Sequence, residues 1–148
     1  MSNWHRRGFT DPLTNIAFGN SEAAFMWYKA RFFGDAEAMD ALKDTTLHPR
    51  ESKDIGGRVR GYDEKAWECV RFGYMVYVNY LKFSQNQDLK EQLLATGDKI
   101  LVEASPYDKI WGIGLAEGEP DEVLSDTKNW KGRNLLGEAL MKVRDLLK

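Results

Sequence analysis

The segment that begins at Asp63 is the longest periodic stretch in the chain, and it constrains the fold more than any other feature. Its first apolar set recurs at the three- and four-residue spacing of an α-helix and consists of Trp67, Val70, Tyr74, Val78 and Leu81. A second set at the same spacing consists of Cys69, Phe72, Val76, Tyr80 and Phe83. Because a helix that is apolar on two faces needs cover on both, this pattern predicts a central, buried helix.

Start and stop signals predict further helices on both sides of the central one. Asn20 and Ser21 are good N-cap residues, Pro is favoured in a first turn, and Gly is favoured just after a helix ends. The expected helices run from Ser21 to near Gly34, from Asp35 through Leu42, from Pro49 to Gly56–Gly57, from Leu89 to Gly97, and from Leu135 through Leu147.

Only two short stretches favour β-structure. Residues 16–18 (Ile-Ala-Phe) are apolar and flanked by Asn and Gly, and residues 100–102 (Ile-Leu-Val) are rich in β-prone side chains. Residues 105–126 are rich in Gly, Pro and Asp and predict a loop. With no repeat or linker in 148 residues, we expect a single domain over residues 1–148, a mostly helical α+β fold with a small sheet.

Composition excludes several classes of protein. The formal net charge of −2 argues against a broad electrostatic grip on a nucleic-acid backbone, although a local basic pocket for one or two phosphates stays open. Cys69 is the only cysteine, so a disulfide framework is not expected, and a reducing compartment is the simplest expectation. No apolar run resembles a signal peptide or a membrane span. We therefore expect a cytoplasmic protein without a membrane partner.

The motifs of several enzyme classes are missing from the sequence. His5 and His48 are isolated, and with one cysteine they form no zinc-binding pattern. There is no Gly-x-Gly-x-x-Gly, no Walker loop and no Gly-x-Ser-x-Gly. The sequence therefore predicts neither a metal nor a cofactor.

Glu22 and Lys29 form the first candidate site. They are seven residues apart on one predicted helix, so they share a face and lie roughly 10 Å apart along the axis. This spacing is too long for a salt bridge but suits two groups that flank a small substrate. The alternative interpretation is a Glu favoured by the helix dipole and an unrelated solvated Lys.

The second candidate is the run Lys53-Asp54-Ile55-Gly56-Gly57-Arg58-Val59-Arg60. Three cations around a Gly-Gly turn could hold a phosphate, because glycine lets backbone N–H groups approach an anion closely. The alternative is a solvated basic turn.

The third candidate spans residues 103–114, where a predicted strand leads into a loop. Glu103 and Asp108 supply carboxylates, Trp111 could stack on a planar ring, and Gly112 permits close approach. An ordinary strand-to-loop transition with a core tryptophan explains the pattern equally well.

The fourth candidate, residues 130–134, immediately precedes the last predicted helix. Arg133 and Asn134 stand next to a helix N-terminus, whose unpaired N–H groups favour anions. The alternative is a basic loop in which Asn134 caps the helix.

Taken in order, these stretches resemble the YbiA-like, or NADAR, superfamily. The matching segments are Ser2-Asn3-Trp4, Ser21-Glu22 through Lys29-Ala30, Lys53 through Val59, Trp67, Lys82-Phe83-Ser84-Gln85-Asn86, Leu93-Leu94-Ala95-Thr96-Gly97, Leu101-Val102-Glu103-Ala104-Ser105, Asp108, Trp111-Gly112-Ile113-Gly114, Gly132-Arg133-Asn134-Leu135-Leu136-Gly137 and Leu140-Met141. They cover nearly the whole chain. One departure is that the family's Gly-Arg pair reads Gly56-Gly57-Arg58 here.

The resemblance implies the YbiA-like fold and an enzyme that cleaves N-glycosidic bonds. Relatives hydrolyse phosphoribosylamino intermediates of riboflavin biosynthesis or remove ADP-ribose from guanine in nucleic acid. The expected substrate is therefore a small ribose-phosphate or ADP-ribose compound, with nucleic acid only as a modified substrate. A non-catalytic module that binds ADP-ribose or a nucleotide is the alternative from another class.

The resemblance also suggests a role for each candidate residue. Glu22 is expected to provide acid–base and electrostatic catalysis, Lys29 to attack C1′, and Asp108, with Glu103, to position ribose hydroxyls or water. The remaining expected substrate contacts are Asn3, Trp4, Lys53, Arg58, Trp67, Trp111, Gly112, Arg133 and Asn134.

Overall fold

The structure is a computed structural model that describes residues 6–101, 110–111 and 133–148. Its strands are β1 (Phe9–Asp11) and β2 (Ile16–Phe18), and its helices are α1 (Ser21–Phe33), α2 (Ala36–Ala41), α3 (Pro49–Gly56), α4 (Glu64–Gln85), α5 (Gln87–Ala95) and α6 (Leu135–Leu147). The two strands pair antiparallel, with Phe9 opposite Phe18. The predicted fold class, mostly helical with a small sheet, is confirmed.

Helix α4 lies at the centre of the described structure, as its periodicity predicts. It contacts α1, α5, α6 and β1. Trp67, Val78 and Leu81 of its first apolar set are buried. The expectation that its second face is equally buried is wrong. Phe83 is covered by α5 and α6, but Cys69, Phe72 and Tyr80 are exposed, because the described helices pack over only part of that face.

The predicted helix boundaries rest on observed caps. The Asn20 side chain accepts a hydrogen bond from the Ala23 amide at 2.8 Å, and Asp35 accepts one from Ala38 at 3.1 Å. Gly34 ends α1 with a φ of 77°, a left-handed conformation that glycine adopts without strain. Local side-chain chemistry therefore determines where α1 ends and α2 begins.

The predicted strands are only partly correct. Residues 16–18 form β2, but its partner β1 has just three residues and carries too little pattern to be detected in the sequence. Ile100 and Leu101 are not in a strand, and Val102 lies outside the described residues, as do all but residues 110 and 111 of the predicted loop 105–126. The Leu101 carbonyl accepts a hydrogen bond from the Asn134 side chain at 2.9 Å, so this segment is held by a side chain.

A buried carboxylate joins the hairpin to the helices. Asp11 has no exposed surface, and its two oxygens accept hydrogen bonds from the hydroxyl groups of Tyr28 in α1 and Tyr77 in α4. Burial alone raises the pKa of Asp11, but hydrogen bonds from both tyrosines and a backbone amide outweigh it, so the net pKa is lowered. Burial, followed by the hydrogen bond to Asp11 and its negative charge, raises the pKa of Tyr77 to about 12.

Replacing Asp11 by Ala should lower the free energy of unfolding at pH 7 by roughly 2 to 4 kcal/mol, because two buried hydroxyls lose a charged acceptor. Since the folded-state pKa is lowered, this contribution is present above the unfolded pKa and is lost as pH falls through the folded pKa. Urea unfolding of the wild-type protein and Asp11→Ala should therefore show that the difference in their free energies of unfolding becomes smaller as the pH is lowered from 7 to 3. Asp40→Ala, at an exposed position of α2, should change little, and an equal loss in that control would contradict the assignment.

Candidate functional site

One face of α1 carries the first pair of predicted residues. Glu22 and Lys29 are both half-buried, and helical periodicity puts Met26 between them on the same face. Much of the helix around them, including Ala23, Phe25 and Tyr28, is buried in the core. The two polar groups therefore lie at the border between core and solvent, where a small ligand could reach both.

Helix α3 flanks this face on one side. It packs on α1 so closely that a methyl group at Gly56 would overlap the Met26 side chain. The exposed end of α3 carries a shallow, open concavity of about 390 Å³, lined by Lys53, Asp54, Gly57 and Arg58. Two predicted phosphate-binding cations thus line one depression at the end of the helix that packs on α1.

The Gly-Gly turn does not supply backbone donors, which corrects the expectation of an N–H cradle. The amides of Gly57, Arg58 and Val59 donate to carbonyls of Lys53, Ile55 and Gly56, at 2.9, 3.1 and 3.4 Å. These bonds close the last turn of α3. A phosphate at this position would therefore have to be held by side chains.

Aromatic side chains flank the other side of the face. Trp67 is only 4% exposed, and its ring lies 5.4 Å from Phe25 and 5.7 Å from Tyr74, between centroids. This burial corrects the expectation that Trp67 forms an open wall for a base, because α1 and α4 enclose the ring in the core. Trp111 is half-buried and meets Phe25 edge-on at 5.2 Å, so it keeps accessible surface at the rim.

Lys29 is surrounded by residues of other segments as well as by Glu22 of its own helix. Its Nζ lies 4.5 Å from the ring centroid of Tyr62, and the Tyr62 hydroxyl is hydrogen-bonded to Glu64. Burial lowers the pKa of Lys29, while the carboxylates of Glu64 and Glu22 oppose that shift and leave a net decrease. A lowered pKa enlarges the fraction of neutral, nucleophilic amine near neutral pH.

The first backbone N–H groups of α6 are not free to bind an anion, contrary to the expectation from the sequence. The amides of Leu135 and Leu136 donate to the carbonyls of Ile110 and Trp111, each at 3.0 Å. Asn134 is fully buried and has a left-handed backbone, and its side chain bonds the Leu101 carbonyl without capping the helix. These contacts pin residues 110–111 to α6, and they favour a structural role for Asn134 over anion binding. Arg133 is exposed.

Five expected site residues lie outside the described part of the chain: Asn3, Trp4, Glu103, Asp108 and Gly112. Within the described ranges, no group of three or more His, Cys, Asp or Glu side chains is arranged to hold a metal ion. The described helices include none that is long and apolar enough to cross a membrane.

Three residues at the site were not identified from the sequence. Tyr62 and Glu64 flank Asp63, which was recognised only as the start of α4. Lys82 is only 4% exposed, and its Nζ lies 3.2 Å from the Ser21 hydroxyl at the start of α1. Lys82 belongs to neither apolar set of α4, so the sequence pattern gave no indication that this cation is buried.

The sequence of the whole chain matches one protein family. The sequence profile described as the NADAR domain matches residues 1–148. The chain belongs to the NADAR family. Among its relatives, an N-glycosidase of the Acanthamoeba polyphaga mimivirus is 38% identical, over 98% of this chain and 85% of that protein. The protein irg-1 of Caenorhabditis elegans is 41% identical, over 99% of this chain and 74% of that protein.

A solved structure supports the same assignment. The NMR structure of the Escherichia coli protein YbiA matches with a TM-score of 0.75 and 27% identity, over 99% of this chain and 76% of that one. Further relatives named N-glycosidase include one from Nostoc punctiforme, 32% identical over 80% of this chain and 69% of that protein. The YbiA-like fold and the enzyme class, an N-glycosidase of the NADAR family, are thereby confirmed.

Proposed function

We propose that this NADAR-family protein hydrolyses the C–N bond between a ribose phosphate and a base. The substrates we propose are the phosphoribosylaminopyrimidine intermediates of riboflavin biosynthesis. One observation carries the proposal. Glu22 and Lys29 share a face of α1, and Lys53 and Arg58 line a concavity at the end of α3, the helix that packs on that face through Gly56 and Met26. The maize protein PYRR, named for riboflavin biosynthesis, is 35% identical over 80% of this chain, although the match covers 18% of that protein.

Glu22 is suited to the charge that develops in the reaction. Cleavage of a glycosidic C–N bond builds positive charge on the ribose, and a carboxylate near C1′ stabilises it. The leaving nitrogen also needs a proton, which a positioned carboxyl group can deliver. We assign Glu22 to these tasks because it stands at the first turn of α1, half-buried and facing the same side as Lys29.

Lys29 is the proposed nucleophile. Its neutral amine attacks C1′, the C1′–N bond to the base breaks, and the departing nitrogen takes up a proton. The ring oxygen then leaves C1′ as a hydroxyl group on C4′, which leaves an imine between C1′ and Lys29. Water adds to this imine and releases ribose phosphate and the free amine. The lowered pKa of Lys29, caused first by burial, supports this role.

The remaining expected contacts complete the proposed site. Lys53, Arg58 and Arg133 hold the phosphate, Trp111 lines the base or sugar, and Trp67 supports Phe25 from behind. Asp108 and Glu103 position ribose hydroxyls or the attacking water, and Asn3, Trp4, Gly112 and Asn134 stay candidate contacts. We propose a cytoplasmic enzyme that needs no cofactor.

Three substrates assayed side by side test the proposal against its alternatives. We expect turnover of a phosphoribosylaminopyrimidine. Preferential release of ADP-ribose from ADP-ribosylated DNA or RNA would instead identify a guanine ADP-ribosyl hydrolase, which the net charge of −2 disfavours modestly. Tight binding of free ADP-ribose without turnover of any substrate would identify a binding module.

Arg58→Ala should raise KM about tenfold and leave kcat nearly unchanged, because a phosphate contact far from C1′ stabilises ground and transition states alike. Steady-state kinetics with the phosphorylated substrate and its dephosphorylated analogue measures this, and the analogue should show no such penalty. Arg50→Ala, at an exposed position at the start of α3, is the matched control. Equal KM values for the two variants would remove Arg58 from the phosphate site and leave Lys53 and Arg133.

A further inference from the structure

The ring of Tyr62, a residue just before α4, lies close to Lys29. The Lys29 ammonium lies 4.5 Å from the ring centroid, within the range of a cation–π interaction. The ring also packs against Phe33 of α1, with 5.4 Å between centroids. Tyr62 thus lies against the end of the α1 face that carries Lys29.

Two charged residues hold Tyr62 in place. Its hydroxyl is hydrogen-bonded to one oxygen of Glu64, and the other oxygen of Glu64 lies 3.4 Å from a guanidinium nitrogen of Arg71. The Arg71 side chain is only 5% exposed, whereas that of Glu64 is 52% exposed. A buried cation therefore anchors the carboxylate, and the carboxylate orients the ring.

The same carboxylate acts on the charge of Lys29. Among the described residues, the groups that face the Lys29 ammonium are Glu22 on its own helix, Tyr62 in the turn and Glu64 in the first turn of α4, with Arg71 behind Glu64. Burial lowers the pKa of Lys29, and Glu64 opposes this more strongly than Glu22 does.

We propose that Tyr62, held by Glu64 and Arg71, is the positioning residue for the Lys29 amine, and that Glu64 is the counter-ion of the positive charge at this nitrogen. Its catalytic meaning rests on the proposed function. A protonated imine on Lys29 carries the same charge as the ammonium, so the same ring face and carboxylate stabilise the intermediate. Sequence patterns could not indicate this, because the Tyr62 ring meets Lys29 only in the folded chain.

The test measures Lys29 without any substrate. Trace labelling with acetic anhydride across a pH series, mapped by mass spectrometry, gives the pKa of individual lysines, with exposed Lys43 and Lys142 as internal references. We expect Glu64→Gln and Tyr62→Leu each to lower the pKa of Lys29 by about half a pH unit or more, because each removes a partner of the cation. Glu138→Gln, at an exposed position of α6, should leave it unchanged.

Tyr62→Phe separates the contribution of the Tyr62 ring from that of its hydrogen bond to Glu64. It keeps the ring and loses the bond to Glu64, so the Lys29 titration should shift less than in Tyr62→Leu. Lys29 titrating identically in the wild-type protein, Glu64→Gln and Tyr62→Leu would overturn the inference. Both sites are largely solvent-accessible, and thermal unfolding of each variant checks that the fold is retained.

This measurement is independent of the chemical mechanism. If the Lys29 titration shifts as expected but no covalent adduct forms with substrate, the positioning role stands and the imine route fails. If an adduct forms on Lys29 but the titration does not respond to Tyr62 or Glu64, the imine route stands and the positioning role fails.

Discussion

Lys29→Arg should lower the turnover rate by roughly 10³-fold or more, while the protein stays folded. Arginine keeps the positive charge, but its guanidinium stays protonated and cannot form an imine with C1′. Borohydride added to the wild-type protein during turnover should therefore leave a reduced adduct, and mass spectrometry of peptides should place it on Lys29. Lys43→Arg, at an exposed position, is the matched control and should retain full activity.

The pH dependence supplies an independent check on Lys29. Because burial lowers the pKa of this side chain, the reactive amine should become populated at a lower pH than for an exposed lysine. Adduct formation should rise with pH and level off once Lys29 is deprotonated. Substantial activity of Lys29→Arg, or no trapped adduct under turnover, would leave direct attack by water, with Lys29 as a phosphate or ribose contact.

Glu22→Gln should reduce kcat by about 10²- to 10⁴-fold, the usual cost of losing a positioned acid–base group. The amide keeps the size of the side chain but can neither carry the charge nor deliver the proton. Single-turnover kinetics, which isolates the chemical step, measures the effect, and Glu138→Gln provides the control on α6. A folded Glu22→Gln protein with near-normal turnover would remove Glu22 from the proposed chemistry.

The sequence predicted the helices well because their signals are local. The caps Asn20 and Asp35 and the stop at Gly34 act within a few residues of their positions. The strand expected at residues 100–102 shows the opposite case. Apolar, β-branched composition indicated a strand, but Ile100 is 66% exposed and neither Ile100 nor Leu101 lies in a strand.

The candidate site was predictable as a list of residues but not as a set of contacts. Spacing placed Glu22 and Lys29 on one face, and the basic run near Gly57 was visible in the sequence. Trp67 was misplaced, since a tryptophan at helical spacing is compatible with either a core or a ligand wall. Tyr62 was missed because it lies far from Lys29 in the sequence, in the segment between α3 and α4.

The contact between Met26 and Gly56 has a further consequence. Because glycine has no side chain, α3 lies so close to α1 that a methyl group at Gly56 would displace the Met26 side chain. On the proposed function, this close approach contributes to the distance from Lys29, where the sugar carbon reacts, to the cations Lys53 and Arg58, where the phosphate sits. A residue that takes no part in the chemistry would then help to determine the length of substrate that the enzyme accepts.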